Sequence, residues 1–461
     1  MHQAAPSNSV ASRDIAFHLH SQTNPKLLEE AGPLVITRGE GARIYDADGK
    51  SYIDAMAGLW CVSLGFANRR LAEAANRQYE ELGFYHTFFH RTGEAVAELA
   101  EKLVELTGMS GGKAYFATSG SEANETMVKL AWIYHAARGK PSKRKIIARD
   151  KAFHGSTIAA ASMCGLPFMH REFGLPLPGF LHTLCPSPYR GMLPGEDETA
   201  FVERLANELE RLILREGPET IAAFIAEPIH AGGGIIVPPA SYFERIQAVL
   251  TKYDILCLDD EIVCGFGRTG NWFGKETVGM RPHMMALAKG LSSAYFPISA
   301  VVMAPEIYDA VHSFNRQGGA FGHGFTNSGH PVGVAVALEA IRIYEEMDVV
   351  SHARRMGARL RGHFDEMART SPIIGEVRGE GLMLGIEIVA DKQTRTPFAP
   401  DCQAGLLFDR FAYDNGLVAR CMGDVLGFSP PLIIDEKDVD DIAERCAVSI
   451  RQLEAHLSKT A

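Results

Sequence analysis

The chain lacks three features that mark nucleic-acid-binding, membrane-spanning and disulfide-stabilised proteins. Its 461 residues carry 46 basic and 56 acidic side chains, which gives a net charge of −10. A protein with an acidic excess gains nothing from counterion release on DNA or RNA, and an anionic membrane surface does not attract it. No stretch approaches the roughly 18 consecutive apolar residues of a membrane-spanning helix. We therefore expect neither nucleic acid nor a membrane as a partner.

The cysteines show no pattern of a redox motif or of a disulfide framework. None of the eight belongs to a C-x-x-C pair, and most lie among apolar neighbours. The N-terminal stretch MHQAAPSNSVASRD has no apolar run of the kind that secretory signals carry. We therefore expect free thiols and a cytoplasmic location.

Short apolar strands and helical stretches alternate through the middle of the chain. The predicted strands cover residues 113–118, 144–149, 221–227 and 254–261. The predicted helices cover residues 121–138, 199–215 and 240–252. Strands that are apolar almost throughout and alternate with helices predict a parallel sheet that is covered on both faces.

Both ends of the chain have a different pattern, and the length favours two domains. Residues 1–30 are expected to form an irregular arm that leads into a short helix, and residues 34–56 are expected to form strands separated by Gly and Asp turns. After residue 331 we predict a long helical stretch to about 367, strands within 373–388, and helices near 403–415 and 437–457. The predicted organisation is an α+β small domain formed by residues 1–59 and 331–461, around a large α/β domain of residues 60–330.

The segment TSGSEAN (118–124) is the first candidate for binding chemistry. It follows a predicted strand and begins a predicted helix, and a helix N-terminus offers free N–H groups and a positive dipole end to an anion. Gly120 allows the backbone to approach a ligand, and Ser121 adds a hydroxyl group. The segment therefore fits a phosphate site, although taken alone an ordinary N-cap is the better explanation of it.

Three acids, Asp259, Asp260 and Glu261, end an apolar strand at residues 255–258. Ligands of open α/β sheets bind beyond the carboxyl ends of the strands, and a carboxylate there can hold a proton on a ring nitrogen. A solvated acidic loop is the alternative. The same segment continues as GFGRTG (265–270), which matches G-x-G-x-x-G. We do not favour a dinucleotide site, because the glycines follow the acids and no helix with an apolar stripe comes after them.

Lys289 lies in an apolar run, MMALAKGLSS, between small and aliphatic residues. Burial there would lower the pKa of the amine and make it a nucleophile able to form a Schiff base. A surface lysine that reaches out to solvent is the alternative. Together, a phosphate site, a strand-end acid and a buried lysine are the three anchors of an enzyme that uses pyridoxal 5'-phosphate (PLP).

The motifs SGSEAN, FHGST, DDEIVCGFGRTG, ALAKGLSS and HGFTNSGHP give the chain a close resemblance to the class III (omega) aminotransferases of PLP fold type I. The resemblance extends from GLWCVSLGF near residue 60 to GFSPPLI near residue 430. It implies a large domain with a mixed, mostly parallel seven-stranded sheet between helices, and a smaller α+β domain from both termini. It also implies an omega-amino acid or amine:pyruvate transaminase with a ping-pong mechanism.

The resemblance assigns roles to individual residues. Lys289 would form the Schiff base and move the substrate proton, and Asp260 would keep the pyridine nitrogen protonated. The further cofactor-binding residues would be Ser119, Gly120, Ser121, Phe153, His154 and Ile262. Thr326, with Phe325 beside it, would reach the phosphate of a neighbouring subunit, which implies a homodimer or a dimer of dimers. The substrate pocket would be lined by Leu59, Trp60, Phe88, Ala231 and Arg420.

Two departures from the family bear on the substrates. Phe153 stands where many relatives carry Tyr, which favours less polar substrates. Arg420 matches the arginine that binds the carboxylate of the keto acid in the family, and Gly232 stands where relatives that use glutamate often carry a Glu that gates this arginine. We therefore expect pyruvate to be favoured over 2-oxoglutarate. The resemblance also suggests an (S)-amine as donor. We expect no metal site, because His323 and His330 lack a third ligand. Other readings are a dialkylglycine decarboxylase-like enzyme, an aminomutase and a PLP-responsive regulator.

Overall fold

The computed structural model describes residues 8–314 and 320–460. The strands of these residues, in chain order, are β1 Ile36–Glu40, β2 Arg43–Asp46, β3 Ser51–Asp54, β4 Lys113–Ala117, β5 Lys145–Arg149, β6 Phe180–Thr183, β7 Ile221–Ala226, β8 Leu256–Asp260, β9 Met284–Leu287, β10 Ser299–Met303, β11 Ile374–Glu380, β12 Met383–Ile388, β13 Leu417–Val418, β14 Arg420–Met422 and β15 Val425–Phe428.

The helices alternate with the central strands and continue to the C-terminus. In chain order they are α1 Val10–Phe17, α2 Pro25–Ala31, α3 Ala57–Trp60, α4 Arg69–Leu82, α5 Glu94–Leu106, α6 Gly120–Ala137, α7 Ile158–Met163, α8 Pro188–Gly191, α9 Glu198–Glu216, α10 Tyr242–Lys252, α11 Gly274–Val278, α12 Pro305–Phe314, α13 Pro331–Glu346, α14 Val349–Thr370, α15 Ala404–Asp414 and α16 Glu436–Thr460. Among these helices, none combines the length and the apolar character that crossing a bilayer requires.

The central sheet has seven strands in the order β4-β10-β9-β8-β7-β5-β6. β10 is antiparallel to both of its neighbours, and the other pairs are parallel. Every residue of β7, β8 and β9 is buried, because helices cover both faces of the sheet. The predicted mixed, mostly parallel α/β architecture is therefore confirmed.

Two four-stranded sheets lie outside the central sheet. One has the order β1-β2-β3-β13, and its β13 pairs in parallel with β3, Leu417 opposite Ile53. The other, β11-β12-β15-β14, is antiparallel throughout. The N-terminal strands thus share a sheet with a C-terminal strand, as a small domain built from both ends requires. The predicted domain boundaries at residues 59 and 330 stay predictions.

The helical stretch predicted from residue 331 to about 367 consists of two helices, α13 and α14. The break falls at Asp348, whose φ of +47° lies in the left-handed region. The Asp348 carboxylate accepts the N–H of Ser351 at 3.5 Å and caps the second helix. The apolar periodicity runs through both helices, so it gives no sign of the change in direction.

Candidate active site

A cavity of about 360 Å³ opens beyond the carboxyl ends of the central parallel strands. Its lining includes eight of the predicted site residues: Ser119, Gly120, Ser121, Phe153, His154, Asp260, Ile262 and Lys289. These residues come from four separate segments of the sequence, so the fold brings together what the motifs indicated one by one. The volume falls in the range of small-ligand sites.

The first wall of the cavity is the N-terminus of α6. The Ser119 hydroxyl accepts the N–H of Glu122 at 3.2 Å, and the Glu122 carboxylate accepts the N–H of Ser119 at 3.1 Å. This reciprocal capping fixes the start of an 18-residue helix whose dipole favours an anion at this end. A Cβ on Gly120 would lie 2.6 Å from Cδ1 of Ile262, so glycine is needed here to admit Ile262 as well as a ligand.

The FHGST loop packs directly on this helix start. The Ser121 hydroxyl accepts the N–H of Ser156 at 3.0 Å. Gly155 has a φ of +136°, and a Cβ on it would collide with the Ser121 hydroxyl. The glycine therefore allows the loop that carries Phe153 and His154 to lie against the proposed phosphate site.

Asp260, at the end of β8, is held by three donors. Its Oδ2 accepts Nδ2 of Asn124 at 2.8 Å and lies 2.7 Å from Nδ1 of His154. Its Oδ1 accepts the N–H of Ile262 at 3.2 Å. Only 3% of Asp260 is exposed, and these bonds fix the direction of its carboxylate. A protonated ring nitrogen placed in the cavity would meet an oriented anion.

Of the three consecutive acids, only Asp260 is part of the cavity lining. Asp260 lines the cavity, whereas Asp259 and Glu261 are fully buried away from it. Burial raises the pKa of Asp259, and it raises the pKa of Glu261 to about 7. Glu261 accepts the N–H groups of Gly274 and Lys275 at 2.8 and 2.6 Å, so it caps α11.

Lys289 lies in the turn that follows β9 and lines the same cavity as Asp260 and the N-terminus of α6. Desolvation by the surrounding protein lowers the pKa of its amine, and the negative charge of Asp260 opposes this shift. The φ of Lys289 is +44°, an unusual value for a residue with a side chain. The turn is stabilised by the Tyr344 hydroxyl, which donates to the Gly290 carbonyl at 2.7 Å, and by Ser293, whose hydroxyl accepts the N–H of Leu64 at 2.8 Å.

The donor set of the cavity fits PLP. An anion-binding helix end, a buried amine and an oriented carboxylate suit a phosphate, an aldehyde and a pyridine nitrogen respectively. Phe153 and Ile262 supply apolar walls for a flat ring. Nε2 of His154 and Oδ1 of Asn124 are buried without a hydrogen-bond partner among the described residues, so both atoms next to Asp260 are available to hydrogen-bond a ligand.

The predicted substrate residues lie outside the lining of this cavity. Trp60 and Ala231 are 4% and 3% exposed and belong to one buried apolar cluster. Leu59 is 59% exposed. Phe88 is half-buried, and a Cβ on Gly324 would lie 2.7 Å from its Cζ.

Arg420 lies on β14 and is half-buried. In the ranges 8–314 and 320–460, no carboxylate forms an ion pair with it. Burial lowers the pKa of its guanidinium group, and its charge in turn contributes to lowering the pKa of Lys289. Among the described residues, Arg420 is therefore a cation without an ion-pair partner, close enough to Lys289 to affect its pKa.

Phe325 and Thr326 also lie outside the cavity lining. Thr326 is exposed, and the half-buried Phe325 ring lies 5.0 Å from the ring of His323. If these residues bind a phosphate, that phosphate belongs to another site.

The candidate metal ligands are engaged in other contacts. His323 stacks on an aromatic ring with centroids 5.2 Å apart, and His330 lies 4.7 Å from another. In the N-terminal arm, Asp14, His18 and His20 come close enough together to hold an ion. Their atoms hydrogen-bond one another at 2.9 and 2.6 Å. The expectation that the protein binds no metal stays a prediction.

Two residues of the site were given no role by the sequence. Asn124 ends the SGSEAN motif and binds Asp260, and Glu227 follows β7 at the sheet edge where Asp260 ends β8. The strand-end rule that selected Asp260 would also have selected Glu227. The remaining lining residues are Cys61, Thr118, Gly155, Ser156, Val263, Ala288, Ser292, Ala294, Phe296, Pro297 and Ile298.

The GFGRTG stretch connects β8 to the C-terminal part of the chain. Arg268 is fully buried, and its Nη1 donates to the carbonyls of Leu382 and Pro430 at 3.0 and 2.6 Å. A Cβ on Gly267 would lie 2.8 Å from the side chain of Val349. These glycines serve packing between segments, so they do not form a dinucleotide loop.

Comparison with known proteins gives a consistent result. The family described as Aminotransferase class-III matches residues 28–449. Gamma-aminobutyrate transaminase 1, mitochondrial, of Oryza sativa subsp. indica is 46% identical over 428 residues, which are 93% of this chain and 83% of the relative. The omega transaminase of Pseudomonas jessenii, solved in complex with PMP, superposes with a TM-score of 0.96 at 48% identity, covering 98% of this chain and 99% of that one. A transaminase solved with L-alanine is 46% identical, with a TM-score of 0.91 and coverage of 98% and 100%.

Proposed function

This chain belongs to the class-III aminotransferases and is a PLP-dependent aminotransferase, and we propose that it transfers an amino group from an omega-amino acid or an (S)-amine to pyruvate. The observation that carries the proposal is the cavity in which Lys289, Asp260 and the N-terminus of α6 meet. The enzyme would work by a ping-pong sequence, in which the donor leaves as a carbonyl compound before the keto acid binds.

Each residue of the cavity has a separate task in this proposal. PLP, when bound, supplies an electron sink for the pair left by the proton of the substrate Cα. Nζ of Lys289, whose pKa is lowered, would take the proton from the substrate Cα and deliver it to the cofactor, and in the second half-reaction it would carry a proton the opposite way. Asp260 would accept a hydrogen bond from the ring N–H and keep that proton in place. Ser119, Gly120 and Ser121 would bind the phosphate, and Phe153 and Ile262 would hold the ring between apolar side chains.

The preference for pyruvate rests on Arg420 and Gly232. The unpaired guanidinium of Arg420 can bind the carboxylate of a small keto acid through two hydrogen bonds. Gly232 supplies no carboxylate that would compete for this arginine, and a Cβ there would lie at 3.4 Å from Cβ of Phe153. The relative solved with L-alanine agrees with an alanine/pyruvate pair, and the rice relative suggests gamma-aminobutyrate as one donor.

The proposed assembly is a homodimer with shared sites. Thr326 is exposed and lies outside the cavity of its own chain, so its contact with a phosphate would have to be made in a second copy. Tyr85 and Phe89, next to the predicted substrate residue Phe88, are 47% and 75% exposed, which suits an apolar interface. A cytoplasmic location is likewise a proposal; the name of the rice relative places that enzyme in mitochondria.

The test is a donor and acceptor panel with the purified holoenzyme. The donors are gamma-aminobutyrate, β-alanine and the two enantiomers of an arylalkylamine, and the acceptors are pyruvate and 2-oxoglutarate. We expect alanine to form at least about tenfold faster than glutamate, the discrimination that one well-placed charged contact can give. Faster glutamate formation would contradict the acceptor preference. Release of CO2 would favour a decarboxylase, and isomerisation without an acceptor would favour an aminomutase.

A further inference from the structure

Glu227 is a buried acid of the cavity that has no part in the chemistry described above. It follows β7, is 3% exposed and lines the cavity together with Phe153, Asp260 and Lys289. We propose that Glu227 is a positioning residue that holds the Phe153 segment and the turn 231–234 together and so sets the width of the substrate pocket. The proposal rests on the transaminase function given above.

The Glu227 carboxylate connects two segments that are distant in sequence. Its Oε1 accepts the N–H of Phe153 at 3.0 Å, and its Oε2 accepts the N–H of Ala231 at 2.9 Å. Each oxygen thus serves one segment, and a charged acceptor makes both bonds strong. Phe153 is the proposed wall against the ring, and Ala231 begins the proposed wall against the substrate.

The two segments also touch each other directly through glycines. A Cβ on Gly233 would collide with the carbonyl oxygen of Lys151, and a Cβ on Gly232 would lie 3.4 Å from Cβ of Phe153. The backbones therefore approach more closely than side chains would permit. Glu227 lies where one carboxylate can secure this approach from both sides.

Two arginines bind backbone carbonyls on either side of the Glu227 contacts. The carbonyl of Glu227 accepts a hydrogen bond from Nη2 of Arg149, at the end of β5. The carbonyl of Gly234 accepts Nη2 of Arg378 at 2.6 Å, which fixes the turn to the sheet of β11. Burial raises the pKa of Glu227, and the N–H groups of Ala231 and Phe153 oppose this shift by binding the charged form.

The test compares Glu227→Gln with a matched control, Asp46→Asn. Asp46 is also buried and accepts two backbone N–H groups, those of Asp48 and Lys50 at 3.0 and 2.9 Å, but it lies on β2 outside the cavity lining. In Glu227→Gln the amide turns a donor toward one of the two N–H groups, so one segment is released. We expect KM for a bulky amine to rise about tenfold, with a smaller change in kcat, since about 1.4 kcal/mol of positioning is lost.

The controls separate positioning from general destabilisation. Asp46→Asn should lower the melting temperature but leave KM within about twofold, and Glu227→Gln should also weaken the visible circular dichroism of the bound cofactor. A second variant, Gly233→Ala, pushes the two segments apart while Glu227 is intact, so it should also raise KM. This variant tests the proposal even if Glu227→Gln does not fold. An unchanged KM in either folded variant would overturn the proposal. If the wild type shows no transamination, the proposed function fails instead.

Discussion

The proposed active site has a cofactor side, around Asp260 and Lys289, and a substrate side, around Arg420 and Leu59. The polar groups of the two sides differ in how many partners they have within one chain. The cofactor side is assembled from strand ends and one helix start, and its polar groups bind each other, as Asp260 binds Asn124 and His154. The substrate side has Arg420 without an ion-pair partner among the described residues, and its Leu59 is 59% exposed. The difference leads us to propose that one chain supplies most of the groups that orient the cofactor, apart from the phosphate contact proposed for Thr326 of a second copy, and that the substrate supplies the partner of Arg420.

Removing the central amine should have the largest effect of any change in the cofactor side. Lys289→Ala deletes the group that moves the Cα proton, and we expect turnover to fall by about 10⁴-fold, the upper end of general acid–base contributions. Steady-state rates with the best donor measure this. Lys252→Ala removes an exposed lysine paired with Glu210 and should keep full turnover. Turnover within tenfold of the wild type in Lys289→Ala would contradict the assignment.

The acids at the end of β8 provide a second comparison within the cofactor side. Asp260→Asn removes the charge that faces the ring nitrogen, and we expect kcat to fall by about 10²-fold to 10³-fold, the size of a lost electrostatic contact in a dry site. Asp259→Asn should cost far less, because Asp259 does not line the cavity and its raised pKa favours the neutral acid. Equal losses in the two variants would refute the choice of Asp260.

Glu261, which follows Asp260 and caps α11, should make the free energy of unfolding depend on pH. Folding raises its pKa from 4.5 to about 7. A carboxyl group with a raised pKa stabilises the fold most below its unfolded pKa, and this contribution is lost as pH rises through the folded pKa. From pH 5 to pH 8 the free energy of unfolding of the cofactor-free protein should decline by about 2 kcal/mol on this account. Glu261→Gln should flatten this slope in urea unfolding; an unchanged slope would assign the dependence to other groups.

On the substrate side, Arg420 should affect the two half-reactions unequally. Arg420→Met keeps the length of the side chain and removes its charge. We expect kcat/KM for pyruvate to fall about tenfold, the contribution of one charge-assisted contact, while the half-reaction with a neutral amine changes by less than twofold. Stopped-flow measurement of each half-reaction separates them. Parallel losses would show that Arg420 supports the fold rather than the keto acid.

The smallest expected effect tests whether the neighbouring copy completes the site. Thr326→Ala should weaken retention of the cofactor severalfold, the effect of one lost hydrogen bond. In hybrids of Lys289→Ala chains with Thr326→Ala chains, one of the two sites would regain both groups. Recovery of up to half of the wild-type retention in the hybrid supports a shared site, and no recovery would place Thr326 outside it.

The same contrast explains how much could be predicted from the sequence. The alternation of strands and helices predicted the central sheet, and the match of SGSEAN, DDE and ALAKGLSS to local motifs predicted the cavity. These features are local, because a strand end or helix start carries its chemistry within a few residues. Asp348 shows the limit: its left-handed conformation divides a helix whose apolar periodicity continues unchanged.

Contacts between segments that are distant in the sequence could not be predicted from local sequence patterns. Glu227 acts on Phe153 and Ala231 through backbone N–H groups, and no spacing in the sequence shows which N–H groups lie within reach. The position of Arg420 depends on how separate sheets pack, and the role of Thr326 depends on a contact between copies of the chain that we propose. Family resemblance named these two residues, and their roles stay predictions.

The most direct test of the central claim is to locate the bound cofactor on the chain. Reduction of the holoenzyme with borohydride fixes PLP to the amine that carries it, and mass spectrometry of the digest identifies the modified peptide. We expect one phosphopyridoxyl group per chain, on the peptide that contains Lys289, and none on Lys289→Ala. Modification of another lysine in the wild-type enzyme, or no covalent attachment at all, would contradict it.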